Sequence, residues 1–352
     1  MPIPPLSEQG YRNYDSRLAQ AYANPIINGD MRICQRGTAV VSIADSTYTV
    51  DRWIYGKTSA VVQDFSQTTD VPSVAKNVPG TNNALALTVT TADSTIAVGD
   101  LAYIGQHIEG YNWLPFAEKQ LTVGFWVKDA VTGVHCVALV NSGLDRSCVV
   151  EYTVNTANTW EYKTVTFPAS PSMSTGTWST STGIGVRLLW PLICGTTYQT
   201  TANAWQTGRY YATSSIQNSV GTNSNVFKLW GVTMGLGPTV APYWPRSYGD
   251  ELALCQRYYE VFGGTTNGFP RILTNNSGIG QYIGMLIPFK IMKRATPTVT
   301  RNGTWTVNSA NQPSVLGATI YGFTLYSTST STGSVDIAPD SSDDTITVEA
   351  EL

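Results

Sequence analysis

The chain has 352 residues, 21 Lys and Arg against 24 Asp and Glu, a formal net charge of -3, and only 13% charged residues. An average soluble domain carries roughly 25% charged residues and spans about 100 to 150 positions, so the composition excludes a coiled coil or helical bundle and the length predicts two folded units. No surplus of positive charge is present to neutralise a phosphate backbone, which argues against a nucleic-acid partner.

The chain opens with Pro2, Pro4 and Pro5, followed by a polar stretch from Asp15 to Ala23, so the N-terminal segment, taken as residues 1–38, reads as an attachment arm whose first part has no core of its own. Apolar periodicity starts at Asn24 in NPIINGDMRICQRGT, with turn chemistry at Asn24-Pro25 and Asn28-Gly29. Residues 39–248 are written in short runs of Val, Thr, Tyr and Trp punctuated by Gly, Pro, Asn and Ser. Strands are predicted at 47–56, 83–91, 119–130, 134–140, 147–154, 160–168, 183–190 and 225–235, which together read as a jelly-roll β-sandwich. Leu252, Cys255, Tyr259 and Phe262 then recur at helical spacing before Gly263-Gly264. This predicts a connecting helix within 249–264, running from Asp250 to Phe262, with Glu251, Gln256, Arg257 and Glu260 on its exposed side. Runs at 280–293, 296–307 and 318–329, then GSVDIAP and DTITVEAEL, make 265–352 a smaller β-sandwich, with a type I′ hairpin expected at Asn302-Gly303. The expected class is all-β: a jelly roll joined by one helix to a small C-terminal β domain.

The residues that usually carry chemistry are sparse. Only His107 and His135 are present, in different predicted elements, and Cys34, Cys136, Cys148, Cys194 and Cys255 stand singly without metal-ligand spacing. They read as buried small apolar residues of a chain folded in a reducing cytosol. Neither a basic, apolar leader nor a run of about 20 apolar residues is visible, so no membrane insertion is expected. Asp51, Glu109, Asp129, Asp145, Glu151 and Glu161 are candidates for a glycosidase pair, and Asp340, Asp343 and Asp344 for a cation loop. Strand ends and turns are ordinary places for such carboxylates, and no catalytic, metal or cofactor residue is assigned. The aromatic content is more informative, with ten Trp and 19 Tyr. A ring beside amides and hydroxyls suits a sugar, whose C–H face stacks while its hydroxyls bond the polar neighbours. Tyr111, Trp113, Trp178, Trp205 and Tyr210, with Asn112 and Gln206, are the candidate glycan-binding residues; the competing reading is that the same rings pack the core.

One series of motifs runs in order through most of the chain: NPIINGDMRICQRGT, YTVDRW, IGQHIEGYNW, LTVGFWVKDAVTG, EYTVNTANTWEYKTVTFP, NAWQTG and FKLWGVTMGLGPTVAPYWPRSYGDELALCQRYYE. In this order they resemble a family of tailed-bacteriophage virion proteins found in tail fibres, head fibres and related appendages. The resemblance implies a carbohydrate-binding-module-like jelly roll, the CQRYYE helix, a small β domain opening near Pro288 to Thr300, and no shared catalytic residues. It further implies a homotrimer made in the host cytoplasm and located in the virion. Such a protein contacts other virion proteins through its arm and host-surface polysaccharide through its body. A head decoration or cement protein bound to capsid, and a glycan depolymerase, are the alternatives.

Overall fold

The computed structural model describes residues 23–77, 80, 82–264 and 269–352, and the chain divides into two compact units between Glu251 and Leu252. The first part of the expected attachment arm, residues 1–22, lies outside the described residues.

The first unit contains β1 (Ala39–Val40), β2 (Thr47–Tyr48), β3 (Trp53–Lys57), β4 (Val62–Thr68), β5 (Ala84–Thr91), β6 (Leu101–Glu109), β7 (Leu121–Asp129), β8 (Gly133–Asn141), β9 (Arg146–Val154), β10 (Glu161–Phe167), β11 (Ile184–Cys194), β12 (Trp205–Thr207) and β13 (Val226–Leu236). They form two antiparallel sheets, one of six strands in the order β1-β4-β5-β13-β7-β10 and one of seven in the order β12-β9-β8-β11-β6-β3-β2. Period-two alternation decides which side chains fill the space between them. Leu121, Val123, Phe125 and Val127 of β7 face inward, and Cys148, Val150, Tyr152 and Val154 of β9 meet the same core. The all-β, jelly-roll class expected from sequence is the one observed.

Several local expectations are corrected. Residues 47–56 are two strands and a turn: Thr49 N donates to Trp53 O at 2.8 Å, and Arg52 takes a positive φ of 74°. Arg52 is not a usual turn residue, but its guanidinium donates to His107 O at 2.6 Å, so a tertiary bond supports the conformation. Residues 24–34, assigned to the arm from sequence, are built into the sandwich. Ile26 and Met31 are fully buried, and Gln106 brackets Ile27, accepting from its N–H at 2.9 Å and donating to its carbonyl at 2.7 Å. Asn28 adopts φ 56° and closes its turn by accepting from Ile33 N at 3.0 Å. In this unit strands β1, β4, β6 and β12 are additional to those predicted.

The helix is shorter than expected, running Tyr248–Gln256; Ser247 caps it, its Oγ accepting from Asp250 N at 3.1 Å. Tyr259–Gly263 is strand β14, because Tyr-Glu-Val-Phe is β-favouring sequence and finds a partner strand, Thr345–Glu349. Glu251 and Glu260, expected outside, have no exposed surface. Glu251 accepts from Asn28 N at 2.5 Å and from Arg246 at 3.1 Å, whereas Glu260 accepts from Lys293 at 2.7 Å. Gln256 is buried as well.

The second unit contains β14, β15 (Ile272–Asn276), β16 (Tyr282–Pro288), β17 (Thr298–Arg301), β18 (Thr306–Asn308), β19 (Ser314–Leu316), β20 (Gly322–Thr328), β21 (Gly333–Ala338) and β22 (Thr345–Glu349). They form three three-stranded sheets, β14-β22-β17, β15-β21-β18 and β16-β20-β19, around a core that includes Phe323, Leu325, Val335, Ile337, Ile346 and Val348. The chain visits the three sheets in order, visits them again in the same order, and returns through their middle strands in reverse. The expected Asn302-Gly303 hairpin does not form, because β17 pairs with β22 while β18 pairs with β21. Gly303 alone of the two has a positive φ, 74°, and a Cβ there would strike the Asp344 carboxylate.

Candidate functional site

Three of the five aromatic candidates are brought together. Trp113 ends a one-turn helix, Gly110–Trp113, that follows β6 and is fixed by Gly110 N donating to Gly183 O at 2.8 Å. Trp178 stacks on Trp113, with centroids 6.1 Å apart and planes at 8°, and Trp205 meets Trp178 edge-on at 5.8 Å. The indole N–H of Trp178 donates to Thr175 O at 2.8 Å and that of Trp205 to Pro168 O at 3.1 Å. Trp205 lies opposite Cys148, a core residue, and so faces inward. Trp113 has no exposed surface, which corrects its assignment to a sugar-binding groove: it is core, with Trp178 half-buried over it. Tyr111 is 57% exposed, and Tyr210 is half-buried in a different cluster.

That second cluster lies on the outer face of the seven-stranded sheet. In β6, Tyr103, Gly105 and His107 point away from the core, and register places Tyr103 opposite Gly56 of β3 and His107 opposite Arg187 of β11. The Tyr103 ring occupies the space a side chain at position 56 would need, so only glycine fits there. The segment after β11 adds a rim. Tyr211 stacks on Tyr103 at 5.7 Å and 11°, Tyr198 meets Tyr211 edge-on at 5.6 Å, and the Arg209 guanidinium lies 5.2 Å from both rim rings. Arg209 Nε donates to Tyr211 Oη at 2.5 Å, while Arg187 Nη1 donates to Asn141 O at 2.5 Å and Ser142 O at 3.2 Å. Burial pushes the Tyr103 phenol up to about 12 and lowers the Arg187 pKa. Neither arginine has a carboxylate within ion-pair distance among the described residues. Sequence reasoning missed Tyr103, Arg187, Tyr198, Arg209 and Tyr211 as a group, although the alternation in GIGVRLLW already puts Arg187 on the face opposite Val186 and Leu188.

The candidate catalytic carboxylates with described partners hold structure. Asp145 accepts from Thr177 N at 3.1 Å, Glu161 from Thr156 N at 2.7 Å, and Asp129 from Ser219 at 2.8 Å; burial raises the Asp129 pKa. Glu151 accepts from Thr213, and Asp51 from Gln35 N at 2.8 Å. Asp344 braces its own turn through Asp340 N at 3.0 Å and Ser341 N at 3.1 Å. Burial pushes the thiol of Cys136 up to about 11 and that of Cys148 to about 12, far from a reactive thiolate. On the opposite sheet, Asp70 bridges Lys128 at 2.8 Å, Lys228 at 2.5 Å and Trp160 at 3.1 Å. A cleft of about 290 Å³, lined by Phe116, Met234, Leu236, Val240 and Trp244 among others, has no charged lining residue and none of the five candidates. Among the described residues no group of three metal-ligating side chains converges, and no helix is long and apolar enough to cross a membrane.

No family model matches this sequence, and no curated protein does. Solved structures with a similar strand layout include the enzymatically active domain of tailspike protein 4 from bacteriophage CBA120, at 14% identity and TM-score 0.33, covering 62% of this chain and 22% of that one. A putative sugar binding protein from Bacteroides thetaiotaomicron is similar at 12% identity and TM-score 0.36, over 61% of this chain and 100% of its own. The family 11 carbohydrate-binding module from Clostridium thermocellum, in complex with a mixed-linked tetrasaccharide, follows at 10%, 0.30, 56% and 95%. None of these likenesses says what this chain binds.

Proposed function

We propose that the protein is a bacteriophage virion appendage that attaches to host-surface glycan through the outer face of its seven-stranded sheet. The observation that carries this reading is the cluster on that face, where the half-buried rings of Tyr103 and Tyr198 and the buried ring of Tyr211 stand with arginines that have no carboxylate within ion-pair distance among the described residues. Rings and forked donors together are what a saccharide needs: apolar surface for its C–H face and directional bonds for its oxygens. The ordered motifs in the sequence support a virion origin. The N-terminal segment is proposed as the anchor to other virion proteins and the assembly as a homotrimer, in which many weak sites act together.

The role is proposed as binding without hydrolysis. Particles lacking the protein should adsorb poorly to host cells, and purified protein should release no reducing sugar from host polysaccharide. Normal adsorption would favour the decoration reading, and sugar release the depolymerase.

A further inference from the structure

The outer-face cluster has an imbalance that a neutral sugar does not explain. The charge of Arg209 works against that of Arg187, and among the described residues neither has a carboxylate within ion-pair distance. Asp45, whose charge reaches Tyr103, is committed to Lys57 N at 2.7 Å. Arg187 uses Nη1 on two main-chain carbonyls, and its other N–H groups take no protein acceptor among the described residues. Arg209 uses only Nε, which leaves both Nη groups of its fork without one. A guanidinium remains charged at any physiological pH, and two half-buried ones near enough to act on each other's charge gain from an anion beside them. The Arg209 guanidinium lies 5.2 Å from the centroids of both the Tyr198 and Tyr211 rings, with Nε tied to Tyr211 Oη, and the free end of a planar fork matches a carboxylate in two-point contact.

We propose that this face takes an acidic saccharide, with the sugar carboxylate on Arg209, Arg187 as the second cation, and Tyr103 and Tyr198 supplying apolar wall. The proposal rests on the glycan reading above and names the sugar class of that same site. The net charge of -3 makes indiscriminate attraction of polyanions unfavourable, so binding of a polyuronate would be local to this cluster.

The test uses the full-length protein with polygalacturonate, alginate and hyaluronate, each beside its carboxyl-reduced, neutral counterpart. At least one acidic polymer should bind about tenfold or more tighter than its reduced form, the scale of one charge-assisted contact. Arg209→Gln should abolish that difference at an unchanged melting temperature, and Arg209→Lys should keep part of it. Equal binding of acidic and reduced polymers would overturn the acidic assignment while leaving the glycan reading intact. Failure of all three acidic polymers to bind would overturn it too, and adsorption of particles lacking the protein then decides the glycan reading separately. The wild-type comparison of acidic and reduced polymers stands even if the variants fail to fold.

Discussion

Asp30 sets a pH dependence that its surroundings explain. Burial raises its carboxyl; Arg32, with Nε 3.3 Å away, opposes that and Glu251 adds to it, leaving the group up at about 7. A carboxyl raised above its unfolded value of about 4 holds its proton more tightly when folded. The stabilisation is therefore complete below about pH 4 and is lost as pH rises through about 7. Between pH 5 and pH 8 the melting temperature of the wild type should fall more than that of Asp30→Asn; parallel curves would show that Asp30 does not titrate in this range. At Trp113, full burial predicts that Trp113→Ala costs about 3 to 5 kcal/mol in denaturant unfolding, whereas Trp178→Ala, removing a half-buried cover, costs less. Equal costs would mean that Trp178 is as much core as Trp113.

Elements were legible where the pattern was local. Strands β5, β7, β8, β9, β10, β11 and β13 lie where alternating Val, Thr and aromatic residues put them, because a strand with one buried face writes its parity into the sequence. Elements decided by distant partners were not. The Asn302-Gly303 pair carries good hairpin chemistry, yet Asn302 N donates to Thr345 O at 2.8 Å, and the flanking runs separate into different sheets. The same limit applied to the site: composition showed that aromatics matter, but only the register of β12 on β9 turns Trp205 inward, and only the segment after β11 brings Arg209 to Tyr103's neighbour Tyr211. Gly303→Ala checks the corrected turn. A positive φ costs an L-residue about 1 to 2 kcal/mol, and the Asp344 carboxylate must also move, so a chemical melt should show at least that loss. No loss would mean that the turn is free to rearrange.

At the scale of the whole chain, the two units carry separate cores, one built on Trp53, Phe125, Trp190 and their neighbours and the other on Phe323, Ile337 and Val348. Calorimetry should therefore resolve two transitions, with Trp113→Ala lowering one and Phe323→Ala the other; a single transition lowered by both would show that the units unfold as one. The strand order of the second unit also sets a timetable for synthesis. Its opening strand has its partner at the far end of the unit, Tyr259 against Glu349, and every sheet is completed by a strand from the closing third of the segment. A ribosome adding about 5 to 20 residues per second must therefore hold β14 to β19 for seconds before the middle strands arrive. A message cut short before codon 345 would yield a chain whose β14 and β17 both lack β22, leaving strand edges open to quality-control proteases and to other chains. In this unit, the cell can tell a finished copy from a broken one by whether it folds.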